Sequence, residues 1–372
     1  MVCKLNKALY GLKQAPRYWN NMLHDWLAEQ GLKQADSDPC LYTRHDLWIT
    51  IWVDDLLIAG KNKANIDQFK RIISTKFKMK DLGPVSWCLG MKITRDRLKK
   101  TLTISQPQYV NEILSRFNMS NCKPAATPLV PKSTLKRATT TDEPTKAPYG
   151  ELVGCLLYLS TRTRPDIAAA VGTLTRYTSQ PCDTHWVAAK HVLRYLRGSP
   201  DIGLTYGAAT NNPAQLHGYA DASFADDVDT RRSTSGCCLM LNGAAVAWRS
   251  KLQPTTAVST AEAEYVALCR AAQEAIHLRQ LLEELGVSQG SAPTTIFEDN
   301  QPCLHIANNP FVGEATKHMA VKYHYVRDMI QAHEIKVEYC PTSAMLADCL
   351  TKNLPRETFR SLTMAVMGTP TR

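Results

Sequence analysis

From Leu216 onward the sequence prescribes an order of elements that few folds accommodate. Three strand candidates follow one another at 215–222, 236–241 and 244–249, with Gly243 at a turn. A long helical period runs from about Ala261 to Leu285. It is followed by strand Thr294–Glu298, helical segments near 301–308 and 317–332, strand Glu334–Tyr339 and a last helix from about Ala344. The order predicts an α/β (α+β) unit built on a mixed five-stranded sheet with flanking helices.

Four carboxylates fall at element positions in this stretch. Asp221 lies on the first strand, on the same side as Tyr219 because strand side chains alternate. Glu262 and Glu264 open the long helix, two positions and about 200° apart, so they cannot serve one site. Ser259 with Glu262 fits a capping box, which accounts for Glu262. Glu264 has no such explanation and lies on the face of Leu268 and Ala271. Asp299 ends a strand, and Asp348 begins a short helix, where the helix dipole would also suit it. Each acid alone has an ordinary structural explanation. Together, one from each of four elements, they can converge on two magnesium ions about 4 Å apart, the arrangement used for phosphodiester hydrolysis.

Earlier in the chain, helical spacing from Pro16 to about Gln30 precedes IWVDDLLIAG at 51–60. The apolar flanks of that stretch predict a hairpin with Asp54 and Asp55 at its tip. Two buried neighbouring carboxylates would be costly, and a divalent cation would remove the penalty; turn chemistry alone also explains an Asp-Asp pair. A helix at 66–77, a turn at 81–84, a strand-like 89–93 and a helix at 107–118 follow. Residues 120–148, rich in Pro, Thr, Lys and Ala, read as a linker or extended tether, and 149–198 as mostly helical. The expected divisions are a first unit at 1–119, a linker and connecting segment at 120–204, and the sheet unit at 205–372.

Charge divides along the same lines. Residues 1–150 hold 24 Lys+Arg against 13 Asp+Glu, and residues 151–372 hold 20 against 21, so the net charge of +10 belongs to the first part. Such asymmetry suits nucleic acid, and equally a lysine-rich solvated surface. The 12 cysteines are scattered without C-x-x-C spacing, so neither a zinc site nor a disulfide framework is supported, and buried reduced thiols are expected. No apolar run of membrane-spanning length and no signal peptide is visible, so the expectation is an intracellular protein, cytoplasmic or nuclear.

A resemblance enters with the motifs LNKALYGLKQAPRYW (5–19), WVDDLLIAG (52–60), DLGPVSWCLGMKI (81–93), TRPDIAAAV (163–171), RYLRGSPDIGLTY (194–206), GYADASFADDVDTRRSTSGC (218–237), SKLQPTTAVSTAEAEYVAL (250–268), EDNQPC (298–303), TKHMAVKYHYVRD (316–328) and ADCLTK (347–352). In that order and over nearly the whole chain, the sequence resembles the C-terminal part of the Pol polyprotein of copia-type retrotransposons. That part comprises the end of the reverse transcriptase, its connection and the ribonuclease H, whose fold has the element order read above. The resemblance implies ribonuclease H catalysis and metal binding by Asp221, Glu264, Asp299 and Asp348, with two Mg2+ ions or Mn2+ in their place. It implies that Asp54 and Asp55 are polymerase metal-site acids. Lys13 and Gln14 would lie near the incoming nucleotide and template, and Gly90 in a primer-gripping hairpin. The implied partners are an RNA–DNA hybrid, an RNA template and a DNA primer.

The sequence also departs from the family. A further polymerase aspartate belongs upstream of the first motif, Trp52 stands where tyrosine is usual, Ala320 replaces an acid, and no histidine precedes Ala347-Asp348. The expectation is an RNA-strand nuclease with an incomplete RNA-directed DNA polymerase. The alternatives are a non-catalytic nucleic-acid-binding remnant and an active polymerase if the upstream part is supplied.

Overall fold

A computed structural model describes residues 8–9, 11–207, 215–309 and 320–369, with the side chains of residues 320–323 left out. Tyr10, the first residues of the first motif and residues 316–319 of the penultimate one lie outside them. The chain divides into two compact units, residues 1–85 with 277–289, and residues 86–276 with 290–372.

In the first unit, helix α1 (Ala15–Glu29) is followed by strands β1 (Lys33–Gln34), β2 (Leu41–Arg44), β3 (Leu47–Trp52) and β4 (Asp55–Gly60), then helix α2 (Lys63–Lys76). The four strands form one antiparallel sheet in sequence order. Asn62 caps α2 by accepting from the Ala64 N–H. The apolar stripe predicted from Trp26 and Leu27 is buried with Leu47, Ile49, Phe69 and Ile73 in one core.

Within the second unit a hairpin of β5 (Trp87–Cys88) and β6 (Met91–Asp96) continues into β7 (Thr101–Ser105) and helix α3 (Pro107–Arg116). Here the strand expected at 89–93 is interrupted. Leu89 (φ +49°) and Gly90 (φ +75°) form a two-residue turn, because both backbones take the left-handed conformation that such a hairpin needs. The Tyr158 hydroxyl donates to the Leu89 carbonyl at 3.0 Å and ties this turn to helix α4 (Tyr149–Arg162). Strand β7, which the sequence reading missed, pairs with β8 (Gly203–Tyr206) to complete a four-stranded sheet.

Helices α4, α5 (Ala168–Thr175) and α6 (Asp183–Gly198) share a core containing Leu152, Leu156, Val171 and Leu193. Between α4 and α5 the TRPD motif buries an ion pair. Arg164 bonds Asp166 at 2.7 Å, the Ser199 carbonyl at 2.8 Å and the Ser199 hydroxyl at 2.9 Å, while the Tyr195 hydroxyl donates to Asp166. Residues 120–148 hold no helix or strand, only turns, bends and one isolated bridge at Pro144, and they are tied down along their length. Arg197 bonds the Ser120 carbonyl, Arg194 that of Lys123, His191 that of Thr127 and Tyr177 that of Leu135.

The remaining strands are β9 (His217–Ser223), β10 (Thr234–Leu241), β11 (Ala244–Leu252), β12 (Thr294–Glu298) and β13 (Ile335–Tyr339). They form a five-stranded sheet in the order β11-β10-β9-β12-β13, antiparallel from β11 to β9 and parallel from β9 to β13. Helix α7 (Thr260–Glu284) links β11 to β12, and α8 (Gln301–Asn308) and α9 (Ala320–Gln331) lie between β12 and β13. This is the α/β architecture with a mixed sheet that the element order predicts. The end of the chain differs. Two short 3-10 turns, Thr342–Ala344 and Leu346–Leu350, stand where one helix was expected, and helix α10 (Arg356–Val366) starts only after Pro355. No helix among the described residues is long and apolar enough to cross a membrane.

Candidate metal centre

Asp221 sits on β9, the middle strand of the mixed sheet, and is fully buried. Opposite it on β10 is Gly236, and the reason for glycine is steric. A Cβ there would stand 2.6 Å from Thr351 Cγ2 and 3.0 Å from Leu350 Cβ, so its absence lets the 347–351 turn close over the sheet. That approach brings Asp348, Thr351 and Lys352 to Asp221. Glu264 reaches the same place from the second turn of α7, and Asp299 from the end of β12. At the start of α7 the Ser259 hydroxyl accepts from the Glu262 N–H, while the Glu262 carboxylate accepts from Val258. Glu262 is therefore engaged at the helix end, as its spacing predicts, and Glu264 is left for the site.

Ligand oxygens of Asp221, Glu264 and Asp299 lie within 4.8 Å of one another, which makes them the one such group among the described residues. Asp348 does not join this trio directly. Its carboxylate is held at 2.5 Å by Lys352 Nζ, which also bonds Asp221 Oδ1 at 3.1 Å. The other oxygen of Asp221 accepts from the Thr351 hydroxyl, and Asp299 Oδ2 accepts from Thr342 at 2.6 Å.

Burial and like charge set the electrostatics. Desolvation, then the charges of Glu298, Asp221 and Asp299, push the Glu264 carboxyl up to about 10. Desolvation and Asp221 raise Asp348 to about 6, against the pull of Lys352. Burial works against the Lys352 charge, but Asp221 and Asp348 overcome it and hold the ammonium above its usual range. Glu264 Oε2 and Glu298 Oε2 are buried without a hydrogen-bond partner among the described residues. Unpartnered carboxylate oxygens are costly in a protein interior, and a hard divalent cation with oxygen ligands relieves that cost. The donor set therefore fits such an ion.

Four participants escaped the sequence reading, Thr342 on Asp299 among them. Glu298 is buried beside Asp299, and desolvation raises its carboxyl well above the usual range. Thr351 and Lys352 stand inside the ADCLTK motif, and the only available signal was that Lys352 follows Asp348 by four residues.

In the first unit, Asp54 and Asp55 occupy the β3–β4 tip as expected, Trp52 pairing with Asp55 across a two-residue loop. Both aspartates are exposed, which corrects the premise that burial makes the pair costly. The strain lies instead in Val53, a β-branched residue at φ +57° whose carbonyl accepts from Trp19 Nε1 at 2.7 Å. Lys13 and Gln14 are exposed just before and at the N-cap of α1. Gly90 holds the β5–β6 turn of the second unit.

The family described as reverse transcriptase (RNA-dependent DNA polymerase) matches residues 1–131. The retrovirus-related Pol polyprotein from transposon TNT 1-94 of Nicotiana tabacum is 42% identical over 370 residues, 96% of this chain and 28% of the polyprotein. A putative transposon Ty5-1 protein of Saccharomyces cerevisiae is 33% identical over 270 residues, 71% of this chain and 87% of that protein. Among solved structures, the ribonuclease H1 of the archaeon Halobacterium salinarum aligns with 37% of this chain and 94% of its own, at 17% identity and TM-score 0.29. The chain belongs to the Pol proteins of copia-type retrotransposons. It spans about a quarter of the plant polyproteins it matches, 28% of the tobacco protein and 25% of a related one from Arabidopsis thaliana.

Proposed function

We propose that the mixed-sheet unit is a divalent-metal-dependent nuclease that cleaves the RNA strand of RNA–DNA hybrids. The observation that carries this reading is the convergence of Asp221, Glu264 and Asp299 to within 4.8 Å, with a buried, unpartnered Glu264 oxygen in the group. These three residues would hold one Mg2+ or Mn2+ ion, and Asp221 with Asp348 frames a second cation position. Ions so held would ease deprotonation of the attacking water and offset charge on the leaving oxygen. Thr342, bonded to Asp299, and Thr351, bonded to Asp221, fix the orientation of those carboxylates. Hybrid selection would depend on 2′-hydroxyl contacts to the RNA strand and on duplex shape.

A second reading concerns the first unit, through the family match over residues 1–131. Asp54 and Asp55 at an exposed, strained tip suit a polymerase metal site acting on an RNA template and DNA primer. Lys13 and Gln14 of this unit would contact nucleotide and template; Gly90, in the second unit, would contact the primer. The test of the nuclease reading is incubation of the full chain with a hybrid labelled on its RNA strand. Cleavage should require Mg2+ and disappear in Asp299→Asn; cleavage that persists in that variant rejects the assignment. Salt-sensitive binding of the hybrid without any cleavage would favour a non-catalytic role.

A further inference from the structure

We propose that the Lys352 ammonium is the resident cation of the second position, so that the substrate-free site takes one divalent ion rather than two. This rests on the nuclease reading above and deepens it, since it assigns the two sides of the acid cluster to different kinds of cation.

The two sides are unlike. On the Asp348 side both Asp221 oxygens are already engaged, Oδ1 by Lys352 Nζ at 3.1 Å and Oδ2 by the Thr351 hydroxyl. The same ammonium bonds Asp348 at 2.5 Å, so one positive charge lies between the two carboxylates that frame that position. Across the cluster, on the Glu264 side, an oxygen is buried and unpartnered, and no ammonium bonds Glu264 or Asp299 among the described residues. A metal ion placed there evicts no ammonium from Glu264 or Asp299, meets the free Glu264 oxygen and draws on the remaining lone pairs of Asp221 and Asp299.

Lys352 is also firmly delivered. It follows the Leu346–Leu350 turn, whose Cys349 and Leu350 are buried and whose approach to the sheet depends on Gly236. An ammonium tethered this way competes at high effective concentration with any ion from solution. A divalent ion placed between Asp221 and Asp348 would also meet the lysine's like charge at a few ångströms, in a poorly hydrated site. Only a swing of the lysine out of the cluster opens the position.

The experiment is titration of the substrate-free full chain with Mn2+ alone, followed by calorimetry and by the electron paramagnetic resonance signal of free Mn2+. Wild type should bind one ion at the acid cluster, an event lost in Asp299→Asn. Lys352→Met and Lys352→Gln should bind two, with affinity for the second raised by roughly tenfold or more. Lys352→Arg, which keeps the charge, should still bind one. A chain carrying Asp54→Asn and Asp55→Asn, so that only the acid cluster is left to fill, that still takes two ions of similar affinity overturns the proposal whether or not the Lys352 variants fold. Equal stoichiometry and affinity in wild type and Lys352→Met overturns it too, while hybrid cleavage by wild type would leave the nuclease reading standing. A wild type that neither binds Mn2+ nor cleaves hybrid overturns both.

Discussion

Replacing Glu264 by glutamine should stabilise the metal-free chain at neutral pH, although it removes a residue of the proposed site. In the folded chain burial and three neighbouring acids raise this carboxyl from the ordinary 4.5 to about 10, so at pH 7 it holds a proton that the unfolded chain would release. Because the folded value is raised, stability is complete below pH 4.5 and declines as pH rises toward the folded value. From 4.5 to 7 the interval is 2.5 pH units, which at about 1.36 kcal/mol per unit comes to about 3 kcal/mol. Any folded value above 7 gives the same figure. Glutamine fills nearly the same volume without a proton to hold, so the variant should gain up to about 3 kcal/mol at pH 7 and nothing at pH 4.5. The assay is hydrogen exchange in EDTA on peptides covering β9 and β12, corrected for intrinsic rates, at pH 5 and pH 7. Saturating Mn2+ should reverse the order, because only wild type then gains full binding energy. A variant equal to wild type at pH 7, or less protected, refutes the reasoning.

Further outcomes follow from other contacts. Asp166→Asn leaves Arg164 charged and 1% exposed, and urea unfolding should register a loss of about 3–5 kcal/mol in the second unit. Gly236→Ala places a methyl 2.6 Å from Thr351 Cγ2 and 3.1 Å from the Ala347 carbonyl. It should displace the 347–351 turn, cost about 1–3 kcal/mol and weaken Mn2+ binding, as thermal unfolding and calorimetry would record. Val53→Asn puts a residue tolerant of positive φ at the hairpin tip, and a urea titration should show the first unit gaining about 1 kcal/mol.

The sheet unit was legible because each of its elements carries its own local signal. Short apolar runs on either side of the Gly243 turn mark β10 and β11, and a long helical stretch marks α7. Glu264 was legible for a related reason: its neighbour Glu262 is consumed by the helix end, so the acid on the apolar face stands out. What stayed hidden depends on contacts remote in sequence. Nothing near Lys352 announces that it bonds Asp221, 131 residues away. Glu298 carries no local signal that separates it from an exposed acid at a strand end, yet it is fully buried at the end of β12, the strand between β9 and β13. The Asp54–Asp55 pair misled in the opposite sense. Its apolar flanks suggest burial, but the tip of a two-residue hairpin projects from the sheet, and the flanks alone are packed. Similarly, the low complexity of residues 120–148 suggests a free tether, whereas arginines and a histidine on α6 hold its carbonyls one after another.

The central claim is that Asp221, Glu264 and Asp299 together hold the metal on which cleavage depends. Anomalous scattering from crystals of the chain grown with Mn2+ tests it most directly. The difference map should show a peak at about 2.1 Å from a carboxylate oxygen of each of the three residues, absent in Asp299→Asn. A peak bound elsewhere, or an occupied site that survives Asp299→Asn, would contradict it.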